Sequence, residues 1–443
     1  MTVSVIGAGL AGCEAAWILA ESGLEVDLYE MKPIKFSPAH SYHGYAELVC
    51  SNSLKASRIS SAAGLLKEEM RMLGSLLLSC ADKCTVPAGG ALAVDREVFS
   101  ALVTQKIKAH PRINVITQEV KTIPKSNAII ATGPLTSDSL AHEIKELCGN
   151  MLSFFDAAAP IITYDSLNFD KVFLASRYGK GDADYINCPM DKDEYQVFYD
   201  ELIGGELAPL KEFEKENFKV YEGCMPIESL AKRGVDSIRF GPLKPVGLTD
   251  PNTGKRPYAV VQLRRENDEG TLYNMVGFQT NLKFGEQKRI FSLIPGLENA
   301  EFMRYGVMHR NTFINSPSLL NEDFSLREHD NIYFAGQITG VEGYMESAAS
   351  GIVAGLSLAR RLSDMPPITF PKTTMIGALT RYISSYKGGD FQPMGSNMGI
   401  IPSLDEHIRD KQMKYQKLAD RALTDLRKVM INEKEGEFNE NNS

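Results

Sequence analysis

A glycine-rich turn between two short apolar strands lies within the first thirty residues, and it constrains the fold more than any other feature. The first strand, Val3–Ile6, runs into the turn, and a second strand ends at Glu30. The first glycine permits the tight bend, the second lets the backbone approach a pyrophosphate, and the third lets the next helix pack on the strand. We therefore predict a bound adenine dinucleotide on the unpaired N–H groups of that helix. The turn residues are Gly7, Ala8, Gly9, Leu10, Ala11 and Gly12.

Two further strand ends and a helix start favour FAD over NAD as that dinucleotide. Glu30 follows the turn at the distance of a carboxylate that accepts hydrogen bonds from a ribose 2′-hydroxyl. A small-residue helix after the last strand lets a flavin approach, and its dipole stabilises negative charge on a reduced isoalloxazine. Many FAD domains carry Asp where this chain has Gln337, whose amide still forms hydrogen bonds. The predicted cofactor contacts outside the turn are Glu30, Ala131, Thr132, Gly133, Gly336, Gln337, Gly343, Tyr344 and Ala348.

Length and composition indicate a two-domain enzyme outside the membrane. The chain has 443 residues, of which 43% are hydrophobic and 23% charged, with a formal net charge of −8. No apolar run reaches membrane-spanning length and no basic leader precedes the first strand, so we expect a cytoplasmic protein without a membrane association. The seven cysteines form no repeated CxxC pattern, and no metal site is expected.

The fold class predicted is α/β, with a Rossmann-like FAD-binding domain of the glutathione-reductase type that is discontinuous in sequence. Its first part covers residues 1–164 and its second part residues 325–443. An inserted α+β domain, rich in alternating strand-like runs, occupies residues 165–324. Apolar spacing predicts one helix over 60–79, and a charged periodic stretch predicts a C-terminal helix with a frayed tail after about Ile431.

Two cysteines are candidates for a reactive thiol. Cys50 lies in Leu-Val-Cys-Ser-Asn-Ser and Cys224 in Glu-Gly-Cys-Met-Pro, which are polar or glycine-flanked loops and not apolar runs. A thiolate becomes a strong nucleophile beside cations or helix N-termini, although a single loop cysteine is more often inert. The other cysteines lack such a context and are interpreted as structural.

These segments together resemble the TrmFO family, the folate- and FAD-dependent tRNA (uracil-5-)-methyltransferases. The resemblance rests on the N-terminal turn, both cysteine segments, Ala-Thr-Gly-Pro-Leu-Thr-Ser, and Ala-Gly-Gln-Ile-Thr-Gly-Val-Glu-Gly-Tyr-Met-Glu-Ser-Ala-Ala, and extends from residue 3 to about 430. The cysteine segments are specific, whereas the glycine turn is common to many flavoproteins. The related MnmG tRNA-modifying flavoproteins share the FAD motifs but are substantially longer.

The resemblance implies methylation of carbon 5 of uridine 54 in the T loop of tRNA, with methylenetetrahydrofolate as carbon donor and NAD(P)H as reductant of FAD. It assigns Cys224 as the nucleophile that adds to carbon 6 of uracil. It assigns Cys50 as the thiol near the flavin and the base that removes the carbon 5 proton. The opposite assignment stays open, as does the choice between NADH and NADPH.

Substrate contacts are expected on the inserted domain. His309 is the candidate to stack on folate, with a satisfied core histidine as the alternative. Arg310, Arg264 and Lys283 are candidates for the glutamate tail of folate or for tRNA phosphate, with solvated surface charges as the alternative. A net negative chain needs a local basic patch to bind tRNA. An MnmG-like tRNA-modifying flavoprotein and an NAD(P)H-dependent FAD oxidoreductase of small molecules remain alternative functions.

Overall fold

The computed structural model describes residues 2–149, 151–179, 182–209, 225–388 and 391–440. The helices are α1 Leu10–Glu21, α2 Ala62–Met72, α3 Leu76–Ala81, α4 Arg96–Ala109, α5 Asp138–Cys148, α6 Lys192–Gly204, α7 Ile227–Ala231, α8 Ser237–Phe240, α9 Phe284–Phe291, α10 Ser316–Leu319, α11 Tyr344–Leu362, α12 Met375–Ser385 and α13 Lys411–Glu440. The strands are β1 Thr2–Ile6, β2 Glu25–Glu30, β3 Ser53–Ala56, β4 Thr85–Val86, β5 Ala91–Val94, β6 Ile113–Thr117, β7 Ala128–Ile130, β8 Leu152–Ala157, β9 Ile161–Thr163, β10 Phe173–Leu174, β11 Tyr185–Met190, β12 Ala259–Arg265, β13 Leu272–Met275, β14 Phe302–Arg304, β15 Met308–Phe313, β16 Ser325–Leu326 and β17 His329–Phe334.

The larger of two cores surrounds a parallel sheet that draws its strands from both ends of the chain. Its strand order is β16-β17-β7-β1-β2-β6, and only β16 runs antiparallel to its neighbour. Strand β17 pairs with β7 through Ile332 and Ala128, so a segment from the last quarter of the chain completes the N-terminal sheet. This topology confirms the predicted α/β class and brings the carboxyl ends of β1, β7 and β17 to one edge.

A second sheet of six antiparallel strands, in the order β10-β11-β12-β13-β9-β14, has a separate buried core. Strand β9 begins at Ile161, ahead of residue 165 where the inserted domain is predicted to start, and β16 begins at residue 325. The antiparallel ribbon of β8 and β15 lies between the two sheets in sequence. The domain division at 164 and 325 stays a prediction.

Helices α1 and α11 cross closely because small residues meet at their contact. A Cβ atom added to Gly351 of α11 would lie 2.2 Å from the backbone oxygen of Ala11. One added to Gly355, a turn later, would lie 3.1 Å from the backbone oxygen of Ala15. The glycines therefore set the distance between the helices that follow the first and the last strands of the sheet.

The segment predicted as one helix over 60–79 is two helices. Helix α2 ends before Gly74, whose φ of +81° lies in the left-handed region. Ser75 then caps α3 by accepting a hydrogen bond from the backbone N–H of Leu78 at 3.2 Å. The apolar spacing continues across the break, so periodicity alone did not reveal it. At the other end of the chain, α13 extends to Glu440, beyond Ile431 where a frayed tail was expected.

A buried carboxyl links α2 to the N-terminus of α12 and makes stability depend on pH. Glu69 is fully buried and accepts hydrogen bonds from the backbone N–H groups of Met375 and Ile376 at 2.7 and 2.8 Å. Burial raises the pKa of Glu69 to about 8, outweighing the opposite effect of the two N–H groups. Because the unfolded carboxyl titrates near 4.5, the folded chain holds the extra proton between these two values.

We therefore expect the free energy of unfolding of the wild-type protein to fall, relative to that of Glu69→Gln, as pH rises from 5 to 8. The difference should change by up to about 1.4 kcal/mol per pH unit, because the glutamine cannot lose a proton. Urea denaturation of both proteins across this range measures it. Glu68→Gln, at the neighbouring exposed position, is the matched control and should show no such trend. A parallel pH dependence in wild type and Glu69→Gln would contradict the prediction.

No helix in the described ranges is both long and apolar enough to cross a membrane.

Candidate functional site

A cavity of about 470 Å³ opens at the edge where the parallel strands end. Its size is that of a small-molecule site, and its position is that of ligands in open α/β sheets. Gln279 and Asn311 also line it, so the segment that follows β13 and the ribbon strand β15 contribute to the wall. Of the residues predicted from sequence, those that line the cavity are Gly7, Ala8, Gly9, Leu10, Ala11, Glu30, Cys50, Ala131, Thr132, Gly133, Gly336, Gln337, Gly343 and Tyr344.

Two predicted cofactor contacts, Gly12 and Ala348, lie behind the cavity wall and do not line it. A Cβ atom on Gly12 would lie 1.8 Å from the backbone oxygen of Gly7, so this glycine holds the turn against its helix. Ala348 is fully buried within α11. Both positions act on the cavity through packing.

The cavity fits an FAD molecule because two long helices begin at it without side-chain caps. Gly9 precedes α1 and Gly343 precedes α11, and neither position has a capping side-chain hydrogen bond. No atom lies within 4 Å of a Cβ built on Gly9, which leaves open space beside the first N–H groups of α1. Uncapped helix N-termini bind anionic groups. The diphosphate of FAD is one such group, and the pyrimidine edge of a reduced flavin is another.

Glu30 lies at the end of β2 with a geometry suited to a ribose. Its two carboxylate oxygens accept hydrogen bonds from the backbone N–H groups of Ala8 and Lys32, each at 2.9 Å. A carboxylate offers about four acceptor positions, so capacity remains for ribose hydroxyls. The same two bonds fix the carboxylate against the glycine turn.

Cys50 reaches the cavity beside the start of α11, where Tyr344 holds it. The Tyr344 hydroxyl donates a hydrogen bond to the Cys50 sulfur at 3.0 Å. It accepts hydrogen bonds from the backbone N–H groups of Cys50 at 2.7 Å and Ser51 at 3.2 Å. Burial, followed by the nearby Cys50 sulfur, raises the pKa of Tyr344 well above its ordinary value, so the phenol stays a donor. A hydrogen bond to sulfur favours the thiolate over the thiol.

Lys55 brings a positive charge to the same helix start. Its ammonium group lies 2.9 Å from Glu346, and Ser396 donates two hydrogen bonds to the same carboxylate oxygen. Burial acts to raise the pKa of Glu346, but Lys55 and Ser396 outweigh it and the pKa is lowered. The carboxylate is therefore ionised and anchors Lys55 at the cavity.

The four residues predicted to contact substrate have different surroundings. Arg264 is 8% exposed and donates hydrogen bonds to the Ser51 hydroxyl and the Asn52 side chain, next to Cys50. Lys283 pairs with Glu206 at 2.6 Å on the surface and does not line the cavity. His309 and Arg310 lie on β15. The substrate roles of all four stay predictions.

Cys224, the predicted nucleophile, lies outside the described residues. Within the described ranges, no group of three or more His, Cys, Asp or Glu side chains is arranged to hold a metal ion.

Sequence analysis identified Cys50 and Tyr344 separately but not the hydrogen bond between them. It also missed Arg96, which donates a hydrogen bond to the backbone oxygen of Leu48 at 2.8 Å and forms an ion pair with Glu266. These partners are 48 to 294 positions apart in the chain, and no local spacing signals them.

Comparison with known proteins identifies relatives along nearly the whole chain. A family model described as glucose inhibited division protein A matches residues 2–366. A protein of Listeria innocua named methylenetetrahydrofolate–tRNA-(uracil-5-)-methyltransferase TrmFO is 59% identical over 429 residues, covering 97% of this chain and 98% of that protein. A protein of the same name from Acetivibrio thermocellus is 59% identical over 430 residues, with the same coverage. Another such protein, from Halalkalibacterium halodurans, is 57% identical and covers 96% of this chain and 97% of the relative.

The solved structure of GidA from Aquifex aeolicus has a similar fold. A form II crystal structure superposes with a TM-score of 0.70 at 16% identity, covering 97% of this chain and 73% of that one. The match confirms the architecture, and at this identity it extends to the fold alone.

Proposed function

We infer that this chain, which belongs to the TrmFO family, transfers a one-carbon unit from methylenetetrahydrofolate to carbon 5 of uracil in tRNA. The observation that carries the inference is the position of Cys50, which Tyr344 holds in the lining of the same cavity as the glycine turn. The names of full-length relatives at 57–59% identity support the same reaction. A simple oxidoreductase has no need of a thiol held in this way.

FAD is the proposed resident cofactor. The glycine turn and the N-terminus of α1 would hold its diphosphate, Glu30 its adenosine ribose, and the start of α11 its flavin. Bound there, FAD supplies the hydride that turns a methylene group into a methyl group. NAD(P)H is the proposed source of that hydride. The start of α11, where Lys55 pairs with Glu346, would hold the flavin, and the helix N-terminus would stabilise negative charge on its reduced form.

Two thiols divide the chemistry at the uracil ring. The proposed nucleophile is the Cys224 thiolate, whose bond to carbon 6 makes carbon 5 nucleophilic toward the methylene group. Cys50 is the proposed base that accepts the carbon 5 proton, and the bond between Cys224 and carbon 6 breaks as the product forms. The Tyr344 hydroxyl keeps Cys50 oriented and favours its proton-accepting thiolate form.

The proposed nucleotide is uridine 54, whose base must leave the stacked T loop to reach Cys50 in the cavity wall. Basic residues of the inserted domain are the proposed phosphate contacts. Among them, the Arg239 guanidinium lies 4.0 Å from the centre of the Tyr258 ring and 3.2 Å from the Asp236 carboxylate, which together hold it on the domain surface.

The reaction is tested by incubating purified protein with methylenetetrahydrofolate, NAD(P)H and unmodified tRNA, followed by mass spectrometry of the digested nucleosides. We expect 5-methyluridine at position 54, dependent on folate. NAD(P)H oxidation without folate dependence and without a tRNA product would identify a small-molecule oxidoreductase. A modified wobble uridine in place of 5-methyluridine would identify an MnmG-like activity.

The cofactor assignment gives a separate prediction at Glu30. Glu30→Ala should weaken FAD binding by about 10- to 100-fold, because it removes a charge-assisted ribose contact and releases the Ala8 and Lys32 N–H groups. Titration of apoprotein with FAD, followed by flavin fluorescence, measures the dissociation constant. The matched control is Asp27→Ala on the same strand, because the Asp27 carboxylate accepts a hydrogen bond from the Asn114 side chain and not from the glycine turn. Equal FAD affinity of Glu30→Ala and wild type would rule out the ribose contact.

A further inference from the structure

A buried cluster of three charged side chains lies directly behind Cys50. It consists of Arg96 at the start of α4 together with Arg264 and Glu266 at the end of β12 and just beyond it. Arg264 is 8% exposed and Glu266 is 4% exposed. Charges buried to this extent are costly unless they are paired or perform a task.

The cluster holds the Cys50 loop from both sides. Ahead of the cysteine, Arg96 donates hydrogen bonds to the backbone oxygens of Leu48 and Val49 at 2.8 and 3.4 Å. Beyond it, Arg264 donates to the Ser51 hydroxyl at 2.8 Å and to the Asn52 side-chain oxygen at 3.0 Å.

Asn52 completes the attachment to the second domain. Its amide group donates hydrogen bonds to the backbone oxygens of Arg265 at 3.0 Å and Glu266 at 3.3 Å. The thiol of the FAD-side loop therefore has its position fixed by β12 of the domain predicted to meet folate and tRNA.

The charges of the cluster do not balance. Glu266 forms an ion pair with Arg96, while both hydrogen bonds of Arg264 go to neutral groups. Two guanidinium groups thus share one carboxylate. Burial lowers the pKa of Arg264, and it raises that of Glu266 against the opposite effect of the two arginines. A thiolate at Cys50, one of the charges that acts on Arg264, would balance the cluster.

We propose that Arg264 is a positioning residue that clamps the Cys50 loop to the second domain and supplies the positive charge that stabilises the Cys50 thiolate. The charged and titratable groups that act on the cluster and on Tyr344 are Tyr344 itself from α11, Arg96 from α4, Tyr185 from β11, Arg264 and Glu266 from the β12 region, Arg304 from β14, and Glu47 from the segment just before Cys50. Two of these, Glu266 and Glu47, are carboxylates that oppose the thiolate, and each has a cationic partner, Arg96 and Lys32 respectively. This role rests on the proposed function of Cys50 as a base. It is an alternative to the predicted role of Arg264 as a direct substrate contact.

The test measures the thiol itself, without folate or tRNA. The rate of Cys50 alkylation by iodoacetamide is followed between pH 5 and pH 10 on FAD-loaded protein, with the modified peptide quantified by mass spectrometry. In Arg264→Met the midpoint of the pH profile should rise by at least about one unit, because a neighbouring positive charge is gone. Alkylation at pH 7 should then slow by about tenfold. Arg265→Lys, at the adjacent position of β12, is the matched control and should keep the wild-type profile.

Arg264→Lys separates the two parts of the role. It keeps the charge but lacks the planar fork that reaches Ser51 and Asn52 together, so the alkylation midpoint should stay near wild type while kcat for methylation falls about tenfold. A wild-type midpoint in folded Arg264→Met would overturn the charge role. A wild-type kcat in Arg264→Lys would overturn the clamp. Where the methionine variant does not fold, Arg264→Gln removes the same charge, and a wild-type alkylation midpoint in that variant would overturn the charge role. The alkylation assay needs no folate or tRNA. If Cys50 is alkylated as expected but the protein forms no 5-methyluridine, the result contradicts the proposed function and leaves the role of Arg264 in stabilising the thiolate intact.

Discussion

Cys50→Ala is expected to lower the rate of 5-methyluridine formation by about 10²- to 10⁴-fold while FAD remains bound. A rate loss of this size is typical when an enzyme loses a positioned acid–base group. FAD should remain bound because other residues supply the proposed cofactor contacts. Single-turnover methylation of tRNA, with flavin content read from the absorption spectrum, gives both quantities. Cys148→Ala is the control, since this half-buried cysteine does not line the cavity and burial raises its pKa to about 12. Full activity of Cys50→Ala would remove Cys50 from the mechanism.

Cys50→Ala and Cys224→Ala together separate the roles of the two cysteines. A tRNA with 5-fluorouracil at the target position has no carbon 5 proton to lose, so a covalent protein–RNA adduct should accumulate after nucleophilic attack. Cys50→Ala should still form this adduct, and Cys224→Ala should not. The reverse pattern would exchange the two assignments.

Gly351→Ala is expected to destabilise the fold by about 1–3 kcal/mol or more and to reduce the fraction of protein that retains FAD. The added methyl group would lie 2.2 Å from the backbone oxygen of Ala11 and 2.9 Å from its Cα, so α1 and α11 must separate. Both helices begin at the cavity, and their separation would move the two N-termini apart. Thermal unfolding and flavin content measure the two effects.

Gly285→Ala is the matched control because Gly285 is also helical but has no atom within 4 Å of an added Cβ. It should be neutral or stabilising by about 0.5–1 kcal/mol, as expected when an open helical glycine is replaced. If Gly351→Ala were as stable as Gly285→Ala, the close crossing of α1 and α11 would not be a constraint on this fold.

The parts of the molecule that sequence predicts well are those encoded over short distances. The strand, turn and helix around Gly7 follow from glycine spacing and apolar periodicity, and they line the cavity as expected. Asp95 is a local signal of the same kind, since it directly precedes α4 and its side chain accepts hydrogen bonds from two N–H groups of that helix. Local chemistry fixes each of these features.

The parts that sequence did not predict depend on contacts between distant segments. Within its own strand, Arg264 has no feature that distinguishes it from a charged surface residue. In the structure it is buried and bonded to the Cys50 loop, which lies more than 200 positions away in the chain. Tyr344 could be placed at the start of a helix, but its bond to Cys50 depends on how two loops converge. The break at Gly74 was missed for a different reason, because the apolar pattern continues through it.

The order of strands in the first sheet has a consequence for synthesis of the chain. Strands β1, β2, β6 and β7 leave the ribosome well before β17 and α11, which are about 200 residues further on. At 5–20 residues per second, this interval lasts roughly 10–40 s. During that time the exposed edge of β7 and the face of α1 that meets α11 have no native partner, so these two surfaces stay uncovered until the whole intervening segment has been synthesised.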